Sequence, residues 1–185
     1  TPHKTNNIRE IYTEGLDLLV SGKRVSAYKN FKNIIEQDSN NINAYLRLGQ
    51  ILREGGNSVK ALKIHKSLLY RKKLSSYELI ELHKNLALNY FELNNFAKSI
   101  EEAKKILTIE SDNEWSISHL IRLYRKDNNW KEATEYLKLF FNKSGKSDKQ
   151  KLALYTIQHA RIETHKQNFQ EARDILDRAL NIDET

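Results

Sequence analysis

Similar stretches recur along this chain about every 34 residues, and that period limits the fold more than any other feature. "NNFAKSIEEAKKIL" from Asn94, "NNWKEATEYLKLFF" from Asn128 and "QNFQEARDILDRAL" from Gln167 share a plan. Each has a turn-forming Asn, an aromatic residue, a small residue three further on, and apolar residues at helical spacing. Phe96 to Trp130 is 34 residues and Trp130 to Phe169 is 39; Ala27 to Ala61 is 34, Ala61 to Ser99 is 38, and Gly15 to Gly49 is 34. A period of this size implies helix-turn-helix units that bury their apolar faces by stacking on neighbours. Glycine inside a helix costs roughly 1 kcal/mol relative to alanine, so Gly15 and Gly49 predict a close approach by another helix.

The pattern predicts a small residue on the first helix of each unit opposite another on the second: Gly15 with Ala27, Gly49 with Ala61, Ala87 with Ser99 and Ala160 with Ala172. A fourth unit departs, with Ile121 opposite Ala133, and a wider or shifted crossing is expected there. Large residues recur around these pairs, with Leu18, Leu52, Tyr90 and Tyr124 on first helices and Phe31, Leu68, Ile106, Leu137 and Phe140 on second helices. Small, aromatic and leucine positions in this order resemble the tetratricopeptide consensus. That resemblance implies an all-α, right-handed superhelical solenoid of about five units, at 8–41, 42–75, 76–113, 114–147 and 148–185. Ten helices are expected, at 8–15, 24–37, 42–54, 58–71, 76–93, 97–109, 114–126, 130–142, 148–165 and 169–182, and no strand. "SSYE" (Ser75, Glu78), "SDNE" (Ser111, Glu114) and "SDKQ" (Ser147, Gln150) read as capping boxes. "SGK", "EGGN", "LNN", "DNN" and "KQN" read as turns that tolerate left-handed backbone.

Composition excludes several classes of function. With no cysteine, the chain has no disulfide, thiolate zinc site, iron–sulfur cluster or cysteine nucleophile. No run approaches the ~18 apolar residues that span a bilayer, so the chain reads as soluble. Thr1 opens a sequence without methionine, which suggests a piece of a longer protein. The last helix carries Ile175, Leu176, Ala179, Leu180 and Ile182 with no polar cap after it. The array is therefore expected to continue, or this piece to form a homodimer end to end through that helix. No cofactor and no metal is expected: His3, His65, His83, His119, His159 and His165 form no i, i+4 pair and no H-E-x-x-H frame. His65 reads as a packed core histidine, and Glu101 and Glu102 as exposed surface. No glycine-rich phosphate loop or G-x-S-x-G elbow occurs, and a non-enzymatic chain is expected.

The concave wall of such an array is lined by first helices. The repeat register places Tyr12 and Leu16 there, then Arg47, Gln50 and Arg53, then Lys84, Leu88 and Phe91, then Trp115, His119, Arg122 and Arg125, and finally Ile157 and Arg161. Cations among aromatics suit an acidic peptide or protein, because Arg gives bidentate, charge-assisted hydrogen bonds to carboxylates and aromatics anchor apolar side chains. A solvated groove is the plainer alternative. Tyr12 and Leu16 stand where chaperone-binding tetratricopeptide domains carry the first Lys and Asn of their carboxylate clamp, which argues against that clamp. The formal charge of +7 raises nucleic acid as another partner. Cations standing singly among carboxylates, with Glu81 on the same wall, argue against it.

Three segments narrow the resemblance: "YTEGLDLLVSGKRVSAYKNFKNIIEQDSNNINAYLRLGQILREGGNSVKALKIHKSLL", "LSSYELIELHKNLALNYF" and "SGKSDKQKLALYTIQHARIETHKQNFQEARDIL". Over residues 11 to about 182 they resemble the N-terminal repeats of the lipopolysaccharide assembly protein B family, with insertions at the same two places. In that family a transmembrane helix precedes the array, further repeats follow, and a cysteine-ligated rubredoxin-type metal domain closes the chain. The resemblance implies an adaptor on the cytoplasmic face of the bacterial inner membrane. Such an adaptor presents a lipid A biosynthetic deacetylase to a membrane-bound ATP-dependent protease and so limits lipopolysaccharide synthesis. Anchor, later repeats and metal-ligand cysteines are missing here, which fits either a fragment or a shorter paralogue with another partner.

Overall fold

A computed structural model describes residues 2–71, 73–145 and 147–183, with side chains from residue 7 to residue 180 within them. The order is α1 (Pro2–Val20), α2 (Arg24–Gln37), α3 (Ile42–Glu54), α4 (Ser58–Leu68), α5 (Ser76–Glu92), α6 (Phe96–Ile109), α7 (Glu114–Lys126), α8 (Trp130–Ser144), α9 (Lys149–His165) and α10 (Phe169–Asp183). Among the described residues there is no strand. The chain divides within α6 into two compact units, residues 1–102 and 103–185.

The turn inside each helix pair repeats a single backbone device. Gly22 (φ 72°), Gly56 (φ 81°), Asn94 (φ 56°), Asn128 (φ 55°) and Gln167 (φ 66°) all take the left-handed conformation. Their spacing reproduces the period of the sequence. Gly and Asn are the residues that reach this region most readily, and Gln167 is the exception.

In the first unit α1 packs on α2 and α3 on α4. Ala27, Phe31, Ile34, Ala44, Leu48 and Ile51 form one buried cluster, flanked by Ile8, Ile11, Tyr12 and Leu16. Leu46, Leu68, Leu82 and Leu86 form a second one. In the second unit α7 packs on α8 and α9 on α10, with Ile117, Leu120, Leu123, Leu137 and Ala160 buried.

The glycines answer to different neighbours from those expected. A Cβ on Gly15 would stand 2.9 Å from Cζ of Phe31, and one on Gly49 would overlap the His65 ring. The atoms nearest to each glycine thus belong to a ring sixteen residues on, while the expected partners Ala27 and Ala61 are fully buried. α1 runs past Gly15 to Val20 where a helix over 8–15 was expected. Ala87 and Ser99 do meet, through a 2.8 Å hydrogen bond from Ser99 Oγ to the Ala87 carbonyl. Ala133, Ala160 and Ala172 are buried. Ile121 is itself buried on α7, and α7 packs on α8 as extensively as α3 on α4.

Of the three capping boxes, only Ser75 with Glu78 forms. The α7 cap is Asn113, which accepts from Ser116 N, and the α9 cap is Asp148, which accepts from Lys151 N. Ser111 and Ser147 each lose to a better-placed side chain one or two residues on. α4 also stops at Leu68 instead of residue 71. Leu176 and Leu180 lie exposed on α10, and Ile182 falls outside the described side chains.

Candidate functional site

In the first unit the expected binding residues fall on α1, α3 and α5, with Tyr12 and Leu16 on α1 packed against the buried cluster and Tyr12 meeting Phe31 edge to face at 5.4 Å. Arg47 is half-buried and donates through Nη1 to Gln50 Oε1 at 2.8 Å, while Gln50 donates to Glu54 Oε1 at 2.8 Å. Arg53 donates to Asn85 Oδ1 at 2.9 Å, and Asn85 is fixed in turn by donating to the Glu81 carbonyl. Burial lowers the pKa of Arg53, opposed by the nearby charges of Glu54 and Glu92. Among the described residues neither Arg47 nor Arg53 forms an ion pair; the hydrogen-bond partner of each is a neutral amide. Lys84 is held by Glu81 at 3.4 Å, and Phe91 packs on Phe96 with ring centroids 5.7 Å apart.

Beneath this face lies a buried polar pair. His65 Nε2 donates to the Leu46 carbonyl at 3.2 Å, which leaves Nδ1 to accept from Asn89 Nδ2 at 2.6 Å. Burial lowers the His65 pKa to about 4, so the ring stays neutral as this bonding requires. Asn89 Oδ1 is buried with no hydrogen-bond partner among the described residues.

The second unit assembles Trp115, His119, Arg122 and Arg125 on α7. The Trp115 ring stacks on His119 at 4.8 Å. His119 is buried, and this desolvation, aided by Arg122, takes its pKa to about 4. It is thus a neutral support for the Trp115 ring rather than an open groove contact. Arg125 lies 6.0 Å from the Trp130 ring centroid and 5.4 Å from that of Tyr155, and those two rings meet edge to face at 5.3 Å. The Tyr155 hydroxyl is buried with no hydrogen-bond partner among the described residues. Ile157 and Arg161 are exposed on α9.

Two features escaped the sequence reading. Glu102 is buried, where an exposed surface was expected, and its Oε2 lies 2.6 Å from His83 Nδ1. In the second unit a cavity of about 380 Å³ lies against Asn129, Trp130, Lys131, His159, Glu163 and Lys166. Glu163 accepts there from Lys166 at 2.8 Å and Asn168 at 2.7 Å, which lower its pKa. Among the described residues no group of three or more His, Cys, Asp or Glu is placed to hold a metal ion. No helix among them is long and apolar enough to cross a membrane.

No family model matches the chain. Over 180 residues it is 26% identical to lipopolysaccharide assembly protein B of Escherichia coli strain K12, covering 97% of this chain and 44% of that protein. The chain thus spans less than half the length of the curated relatives it matches. A tetratricopeptide repeat protein from Parabacteroides merdae superposes with a TM-score of 0.66 at 21% identity, over 95% of this chain and 66% of that one. YrrB, described as a tetratricopeptide protein with an unusual peptide-binding site, superposes with a TM-score of 0.64 at 13% identity, over 97% and 91% of the two chains. With ten helices in repeating pairs among the described residues and these structural neighbours, the chain has the tetratricopeptide-repeat fold and resembles lipopolysaccharide assembly protein B in sequence.

Proposed function

We propose that the chain is a protein-binding scaffold that takes an acidic segment of its partner on the α3–α5 face. The observation that carries this is the state of Arg47 and Arg53. A half-buried guanidinium is ordinarily paired directly with a carboxylate, whereas both of these hydrogen-bond to neutral amides and keep donors for another acceptor, Glu54 and Glu92 acting on Arg53 only through their nearby charge. A partner carboxylate arriving there gains a charge-assisted and often bidentate bond, against side chains already held in place by Gln50 and Asn85. Trp115, resting on neutral His119, gives the second unit an aromatic anchor for an apolar side chain.

Likeness in sequence to lipopolysaccharide assembly protein B supports a finer reading. In it the scaffold is an adaptor that regulates lipid A synthesis at the cytoplasmic face of a bacterial inner membrane. Its partners there are a lipid A biosynthetic deacetylase and a membrane-bound ATP-dependent protease. The test is affinity capture from a bacterial lysate with the parent chain and with Arg47→Glu/Arg53→Glu, read by mass spectrometry. Recovery of the deacetylase or the protease by the parent alone supports adaptor and site together. Equal recovery by both baits overturns the site, and recovery of neither enzyme by the parent overturns the adaptor reading.

A further inference from the structure

The positive charge of this chain is not evenly spread. From Gly55 to Tyr77 the sequence holds Lys60, Lys63, Lys66, Arg71, Lys72 and Lys73 and no Asp or Glu, so one short stretch equals six of the formal +7. The interspersed pattern holds elsewhere and fails here. Most of the stretch is α4 and the turn after it.

The structure separates the two sides of α4. Ala61, His65 and Leu68 are fully buried on the inner side. On the outer side Val59, Lys63, Lys66 and Tyr70 follow one another at i, i+4, i+7 and i+11, so apolar and cationic groups share one stripe. With Leu62 and Ser67 they line a shallow depression of about 390 Å³. Val59 is 67% exposed and Tyr70 88% exposed. Among the described residues none of Lys60, Lys63, Lys66, Arg71 and Lys73 has a carboxylate partner. Lys66 lies over the Tyr90 ring at 5.8 Å, and Arg71 uses Asn40 and the Tyr45 ring.

We propose that the outer face of α4 docks on an anionic lipid bilayer surface, with Lys60, Lys63 and Lys66 at the head-group phosphates and Val59 and Tyr70 in the interfacial layer. Lysine stems lie along apolar surface while their ammonium groups stay wet, and tyrosine settles at the same depth. A basic helical face with interleaved apolar groups is the pattern that binds the membrane interface. A nucleic acid would leave Val59 without a role, and a single strand would also need a row of stacking aromatics, of which the stripe has one. This site is separate from Arg47 and Arg53 and does not depend on the scaffold reading.

The experiment is vesicle flotation of the 185-residue chain. Vesicles of one part phosphatidylglycerol to two parts phosphatidylcholine are compared with phosphatidylcholine alone. The parent is expected to float with the anionic vesicles only, and less at high salt. Lys60→Gln/Lys63→Gln/Lys66→Gln should weaken binding about a hundredfold, at about fivefold per cation near an anionic surface. Val59→Ser/Tyr70→Ser should weaken it about tenfold while the salt dependence stays. Lys149→Gln/Lys151→Gln, on exposed α9 positions, should leave it unchanged, and thermal melts by circular dichroism check that each variant is folded. Equal flotation of the parent and the folded triple-lysine variant, flotation with neutral vesicles, or binding to duplex RNA that is tighter than to the anionic vesicles and unchanged by Val59→Ser/Tyr70→Ser would overturn the proposal.

Discussion

The imidazole of His65 occupies the space where a side chain on Gly49 would stand. It cannot easily move aside, since one ring nitrogen is bonded to the Leu46 carbonyl and the other to Asn89. Gly49→Ala should therefore destabilise the fold by about 2 kcal/mol, the overpacking cost exceeding the gain in helix propensity. Gly15→Ala should cost less, because Phe31 meets it at 2.9 Å with no hydrogen bond to lose. Urea denaturation of both variants measures the difference. A His65→Ala background should remove most of the Gly49→Ala penalty, the coupling expected of two residues that share one space.

Acid should weaken the fold through His65 and His119. Both have pKa values held near 4 in the folded state, against 6.5 for the free side chain. Above pH 6.5 both rings are neutral in folded and unfolded chains and pH has no effect through them. As pH falls from 6.5 to about 4, the unfolded chain takes up protons that the folded chain refuses, so stability is lost. The loss is about 3 kcal/mol for each ring at full extent. Denaturation midpoints at pH 7.5 and pH 5 should differ clearly for the parent and much less for His65→Gln/His119→Gln.

His83 and Glu102 form a second buried pair, 2.6 Å apart. Glu102→Ala should cost about 3 kcal/mol, since it leaves a buried imidazole nitrogen unpaired, and Glu102→Gln should cost less because an amide still reaches that nitrogen. A double-mutant cycle with His83→Ala should give a coupling above 1 kcal/mol. Additive effects would place the bond at the surface instead.

Helix order was legible because the period is long, repeated and marked by turns. The small pairs were half legible. Ala87 and Ser99 meet as expected, but the ring nearest Gly49 belongs to His65, one turn beyond Ala61 on the same face of α4, and only the three-dimensional crossing says which neighbour fills a gap. Glu102 was misread because it adjoins Glu101, and two carboxylates in sequence look like surface until a histidine 19 residues away turns out to face one of them. Arg53 was placed on the right face by register, yet its tie to Asn85 spans 32 residues, a distance no local pattern encodes. The second-unit cations show the same limit, as Arg125 lies over the α8 and α9 rings Trp130 and Tyr155.

Cap identity gives a direct contrast between sequence pattern and geometry. Asn113 holds the first turn of α7 by accepting from Ser116 N at 2.9 Å. Asn113→Ala should cost about 1 kcal/mol, whereas Ser111→Ala should stay within about 0.5 kcal/mol. Thermal melts of the two variants side by side check this. A larger loss from Ser111→Ala would restore the capping box read from the sequence.

Gln167 offers the opposite kind of change, a substitution that stabilises. It holds φ at 66° in the last of five equivalent turns, where Gly22 and Gly56 take the same conformation at no steric expense. Its backbone N–H donates to the Thr164 carbonyl at 3.0 Å, and its side chain is exposed. Gln167→Gly relieves the clash between Cβ and backbone, about 1 kcal/mol in the left-handed region, and loses part of that to the greater freedom of glycine in the unfolded chain. The net effect should be a small rise in melting temperature, while Gln167→Val, β-branched at the same φ, should lower it. A fall in both variants would mean that the Gln167 side chain holds the α9–α10 turn by contacts of its own.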